Sequence, residues 1–167
     1  MKKICLLTIL LFAVCAANAQ TEISVPTPTL QQKYNIARNF MYNSMLAAIS
    51  VAKNEGLTVE EYGKKCGEVF ATAWNAEMGF TQFANNMLNI FSRLSDSIKI
   101  VEQSEGKIVF ISSPIYPGLE RQGILFGTSL KELIVYNDMV YSEIAKRLNL
   151  KCNVKLVEEG LQVEITQ

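Results

Sequence analysis

Residues 151–166, KCNVKLVEEGLQVEIT, change character at every second position near their end. Leu161, Val163 and Ile165 fall on one side, and Gln162, Glu164 and Thr166 on the other, the period of a strand buried on one face. The arm before it, residues 151–157, is rich in β-formers, and Glu158-Glu159-Gly160 between the two supplies turn residues. This is a hairpin. A second lies upstream, residues 97–103 and 107–112 about Ser104-Glu105-Gly106, closed by Pro114 and Pro117, which cannot continue a strand ladder.

Between the hairpins, residues 119–148 carry a helical pattern broken at Gly123 and Gly127. Ser129-Leu130-Lys131-Glu132 is a capping box, so the segment is two helices or one helix kinked at the glycines. Gly118, Gly123 and Gly127 lack the strand, turn and lysine of a phosphate loop and read as packing or kink positions. Upstream, Leu30, Tyr34, Ala37, Met41, Met45, Ala48 and Ala52 form a stripe flanked by Phe40 and Ile49, predicting a helix over 30–53 that Gly56 ends. Thr58-Val59-Glu60-Glu61 caps a second helix, with Tyr62, Cys66, Val69, Phe70 and Ala73 inward and an end near Met78-Gly79. A third, over 81–94, turns Phe83, Met87, Ile90, Phe91 and Leu94 to one side. The order predicts an α+β domain: three N-terminal helices, then ββαββ, with helices packed on one face of an antiparallel-rich four-stranded sheet.

Residues 1–19 read as a signal peptide. Lys2 and Lys3 precede a short apolar run, and Ala17-Asn18-Ala19 fits cleavage before Gln20. Phe12-Ala13-Val14 puts no small residue beside Cys15, as lipid attachment requires. Residues 20–29, with Pro26 and Pro28, form a tether, and 30–167 a single domain in an exported, periplasmic or secreted protein. The mature chain then holds 14 basic and 16 acidic residues, a net charge of −2 with no transmembrane span and no basic footprint for nucleic acid. The absence of histidine from all 167 residues excludes His-ligated haem, a Ser-His-Asp triad and a Cys-His pair. No metal or cofactor is expected. Cys66 and Cys152 remain after processing, either as a disulfide or as two buried thiols.

The segment ISVAKNEGLTVEEYG (49–63), followed by hairpin, long helix and hairpin, resembles the superfamily of vinyl-reductase-type ligand-binding domains and L-2-amino-thiazoline-4-carboxylate hydrolase-like proteins. The similarity spans most of residues 40–167 and is carried by element order and a few positions. It implies a fold that holds small ligands between helices and sheet, as in NO-signalling and Golgi-transport ligand-binding types. The hydrolase-like members carry a cysteine three residues before an aspartate. At Val135-Tyr136-Asn137-Asp138 the acid is kept and Val135 takes the cysteine's place. Their closing glycine and Cys-Asp-Phe meet Gly160 and Val163-Glu164-Ile165, so both thiols are replaced.

Phe40, Met41, Met45, Phe70, Trp74, Phe83 and Met87 concentrate in the helices, either as a pocket for a small apolar ligand or as core. Trp74 and Tyr42 are the candidates for its rim. Asp138, amid Ile134, Val135, Met139 and Val140, is the candidate general acid or base. Alternatively, Asn137 and Asp138 share a solvated stripe with Lys131 or Arg121 nearby. Glu61 and Glu158-Glu159 are explained by a helix cap and a turn. These residues favour an exported module that binds a small ligand or a protein, including a second copy of itself as a homodimer. The alternative is a divergent hydrolase of the thiazoline-carboxylate type using Asp138.

Overall fold

The computed structural model describes residues 27–167; the expected signal peptide and most of the tether lie outside the described residues. A compact unit spans Tyr34–Gln167. In the short unit before it, Thr29 opens the first helix with a capping box: its Oγ1 accepts from the Gln32 amide at 3.2 Å, and Gln32 Oε1 accepts from the Thr29 amide at 2.8 Å.

Three helices, α1 (Leu30–Asn54), α2 (Val59–Ala71) and α3 (Phe80–Leu94), precede the first hairpin, β1 (Ser97–Ser104) and β2 (Lys107–Ser113). A short helix α4 (Pro117–Gln122) and a small hairpin, β3 (Ile124–Leu125) and β4 (Thr128–Ser129), lead into α5 (Leu130–Arg147). The chain closes with β5 (Lys151–Val157) and β6 (Gly160–Thr166). The fold is α+β, with helices packed on a four-stranded antiparallel sheet ordered β1-β2-β6-β5.

The alternation in β6 decides which sheet face is covered. Leu161, Val163 and Ile165 pair with Ser112, Phe110 and Ile108 of β2, and all six are buried. Phe83, Met87 and Phe91 of α3, Leu46 and Ile49 of α1 and Leu133 of α5 belong to the same core, with Phe91 edge-on to Phe110 at 5.6 Å. On the opposite face, Val109 and Ile111 are flanked by Glu164 and Gln162 on β6 and by Glu102 and Lys99 on β1. These long side chains shield them, and Lys107 lies 2.8 Å from Glu102 and 3.6 Å from Glu164. Strand β1 is an exposed edge interrupted by a bulge between Ile100 and Glu102.

Both capping boxes form. Thr58 Oγ1 accepts from the Glu61 amide at 3.1 Å, and Ser129 Oγ from the Glu132 amide at 3.3 Å. Other expectations need correction. Of the two alternatives for residues 119–148 the two-helix one holds, and the kink does not: Gly123 ends α4 and Gly127 turns the β3–β4 hairpin, where Phe126 (φ 51°) and Gly127 (φ 72°) are both left-handed. The deep line of α1 is Tyr42, Leu46, Ile49 and Ala52, about one residue round from the expected stripe, and Ala37 is exposed. On α2, Val69 and Phe70 are exposed; the packed face is Val59, Gly63, Gly67 and Ala71.

Those glycines set where α5 stands. A Cβ on Gly63 would lie 2.8 Å from Met139 Cβ and 3.0 Å from the Tyr136 carbonyl oxygen. On Gly67 it would lie 2.8 Å from Glu143 Cβ and 2.9 Å from the Val140 carbonyl oxygen. Helices α2 and α5 therefore meet backbone to backbone along a seam that no other residue type fits. Larger apolar side chains of α2 are left on the flanks of that seam.

Candidate ligand cleft

Beside the glycine seam the helices part to leave an apolar cleft of about 400 Å³. Met41 and Met45 of α1 line one side, with Phe70 of α2 and Trp74 just beyond it. Ala73, Ile90 of α3 and Tyr136, Asn137, Val140, Tyr141 and Ile144 of α5 supply the rest. Among the described residues no charged side chain lines it. Burial pushes the pKa of both phenols up, that of Tyr136 further through its neighbour Cys66 and that of Tyr141 through Cys152, so both rings stay neutral.

Four of the seven candidate ligand residues, Met41, Met45, Phe70 and Trp74, meet here. Phe83 and Met87 do not line it: both are fully buried core residues, and Phe83 supports Trp74 edge-on at 5.3 Å. Phe40 is 72% exposed, because the phase of α1 turns it away from the cleft that Met41 enters. Trp74 is the expected rim residue. It is half-buried and also borders a more polar depression containing Asn75, Asn86 and Arg93. Tyr42 is not at the rim: it is 1% exposed, stacked on Tyr116 at 4.7 Å, with its hydroxyl donating to the Leu94 carbonyl at 3.2 Å.

Neither Asn137 nor Asp138 lies on a solvated stripe. Asn137 is 6% exposed and lines the cleft, and its side-chain amide, not fully enclosed, has no hydrogen-bond partner among the described residues. The next residue faces a different depression. Asp138 is half-buried in an open groove of about 600 Å³ between α5 and β5, with Glu60 and Lys131 at its margins. Its Oδ1 accepts from the Val154 amide at 2.6 Å, while Ser142 Oγ donates to the Cys152 carbonyl at 2.7 Å. One turn of α5 thus satisfies an N–H and a C=O on the outer edge of β5. Arg121 is elsewhere, on α4, donating to the Pro117 carbonyl at 3.2 Å.

Val135 lines the Asp138 groove, and Val163 is sealed in the sheet opposite Val154 and Phe110. No serine, threonine or cysteine among the described residues lines that groove. Cys66 and Cys152 are free thiols. Burial, reinforced by the Asp138 carboxylate, pushes the Cys152 thiol well above its ordinary range, the opposite of an activated nucleophile. Among the described residues no cluster of three or more His, Cys, Asp or Glu is placed to hold a metal, and no helix is long and apolar enough to cross a membrane.

Comparison with protein-family models, curated proteins and solved structures returned no match to the chain. Two features of the site carried a sequence signal that hydropathy alone passes over. Gly63-Lys64-Lys65-Cys66-Gly67 places two glycines one turn apart on a helix. Asn137 stands four residues after Leu133 and three before Val140, within an apolar stripe.

Proposed function

We propose that this chain is an exported binding module that holds a small, largely apolar molecule in the cleft between α1, α3 and α5. The observation that carries the reading is the cleft itself. Its volume of about 400 Å³ falls in the range of small-molecule sites, its walls are Met, Trp, Tyr and Ile side chains, and it lies between helices rather than in a loop. The two methionines adapt to the shape of an occupant at low cost. The Lys2-Lys3 run and the Ala17-Asn18-Ala19 site support export, which N-terminal sequencing of the mature chain at Gln20 tests. The hydrolase alternative has less support, since Asp138 is engaged by Val154 and lacks a neighbouring nucleophile in its groove.

Titration of the purified mature chain with N-phenyl-1-naphthylamine, a neutral environment-sensitive dye, tests the reading. The expected result is saturable binding that quenches Trp74 emission and is lost in Met45→Lys while the circular dichroism spectrum is unchanged. Dye uptake that ignores Met45→Lys would sink it. A protein occupant has one observation in its favour: Ile36 and Phe40 are exposed one turn apart on α1, at 62% and 72%. Sedimentation of wild type against Phe40→Lys reads that surface separately.

A further inference from the structure

We infer that the molecule held in the cleft is a neutral amphiphile bearing a carboxamide or lactam edge, which pairs with the side chain of Asn137. The inference rests on the reading of the cleft as a ligand site and goes further by naming the chemistry the site selects. Asn137 is 94% buried, taking its 6% exposure, and its amide carries donors and an acceptor that no described residue engages. The amide is not sealed in the free protein, since among the described residues only Ser112 Oγ is a fully enclosed side-chain polar atom without a partner; an occupant that covers the amide takes it out of water, which is costly. That cost is offset when the occupant supplies the partner.

The pattern of the missing partner follows from the group itself. A side-chain amide offers a donor and an acceptor side by side, so its complement is an acceptor and a donor side by side. A primary carboxamide or a lactam provides this through two antiparallel hydrogen bonds, whereas an ether or ketone provides only one. Charge is excluded by the walls: no lysine or arginine lines the cleft, so a carboxylate brought beside Asn137 would be buried unpaired. Size is bounded by the volume of about 400 Å³, which suits a one- or two-ring molecule rather than a long lipid chain. The rings of Phe70, Trp74 and Tyr141 give such a flat body aromatic surfaces to lie against.

Three probes of nearly the same shape separate these claims in displacement of N-phenyl-1-naphthylamine from the mature chain: 2-naphthamide, its hydrocarbon isostere 2-isopropenylnaphthalene, and 2-naphthoate. Wild type is expected to bind the amide at least about tenfold more tightly than the isostere, with the anion weakest, because a site built to hydrogen-bond rejects the analogue that cannot. In Asn137→Leu the amide should lose that advantage, to within about twofold, and the isostere should bind as well or better. Saturable dye binding with no preference among the probes in wild type would overturn this inference and leave the cleft reading standing. A preference that survives Asn137→Leu would overturn it too, by placing the selecting group elsewhere. Failure of the folded chain to bind dye at all would remove both. Should Asn137→Leu not fold, the ranking of the three probes by wild type decides the matter alone.

Discussion

Asn137 and Asp138 are neighbours on one helix and lead opposite lives. The Asp138 carboxylate takes the Val154 amide at 2.6 Å and is spent on closing the edge of β5. The Asn137 amide, more deeply buried, has no partner among the described residues. Sequence makes Asp138 the more attractive chemical group, since a carboxylate among aliphatic residues suggests a tuned acid. Geometry reverses the ranking. A polar group whose bonds are made within the fold is accounted for by the fold, and one left open inside an apolar wall calls for something from outside.

The largest expected effect breaks both sides at once. Gly67→Val drives a branched side chain into the Val140 backbone, where even a bare Cβ would sit 2.9 Å from the carbonyl oxygen. It should cost about 3 kcal/mol or more in urea unfolding and abolish dye binding, because the seam positions both faces of α5. Near-native stability in that variant would mean the seam does not fix the helix. Next, Asp138→Ala leaves an edge amide of β5 unsatisfied and should lower stability by about 1–3 kcal/mol while the dye affinity of the refolded protein holds. A loss of dye binding greater than the loss of fold would place Asp138 in the ligand site after all.

A smaller effect appears on acidification, at the shared root of both faces. Burial alone would raise the Glu132 carboxyl, but the Lys53 ammonium at 2.5 Å and the Ser129 amide and hydroxyl outweigh it and hold the group below its ordinary 4.5. A carboxyl depressed in the folded state adds stability above its unfolded value, and loses it as pH falls from about 4.5 through the lower folded value. Stability measured from pH 6 down to 3 should therefore fall less steeply in Glu132→Gln than in wild type, by about the contribution of one exposed-side ion pair. The smallest effect belongs to Asn137→Leu in ligand-free protein. Its melting temperature should match or slightly exceed that of wild type, since an unpartnered amide is replaced by a side chain the walls can contact. A clear drop would show that the amide already has a structural partner.

Much of the frame was legible because its signals are local. The β6 alternation needs only one covered face to be read, and Thr58-Glu61 and Ser129-Glu132 announce helix starts through bonds made within four residues. The phase of α1 was harder because two apolar lines run side by side: Tyr42, Leu46 and Ile49 enter the core, while Met41 and Met45 border the cleft. Large side chains suggested the inner face of α2, yet its closest packing uses residues with no side chain to count. The pairs Ile124–Leu125 and Thr128–Ser129 are too short for any periodicity to declare them strands. Of the candidate site, Met41, Met45, Phe70 and Trp74 were visible as composition. Asn137 was not, because hydropathy assigns a polar residue to water unless its neighbours three and four positions away are weighed.

The free thiol of Cys152 turns the closed edge of β5 into a clock. Its carbonyl is held by Ser142 and its side chain is buried, so a thiol reagent can reach it only after α5 has lifted from the strand. Cys66 is half-buried on α2 beside Tyr62 and Tyr136. A single sample exposed to reagent would thus report two rates, one for a half-buried position and one for each excursion in which the helix leaves the sheet. An occupant that braces the cleft face of α5 should slow the second rate.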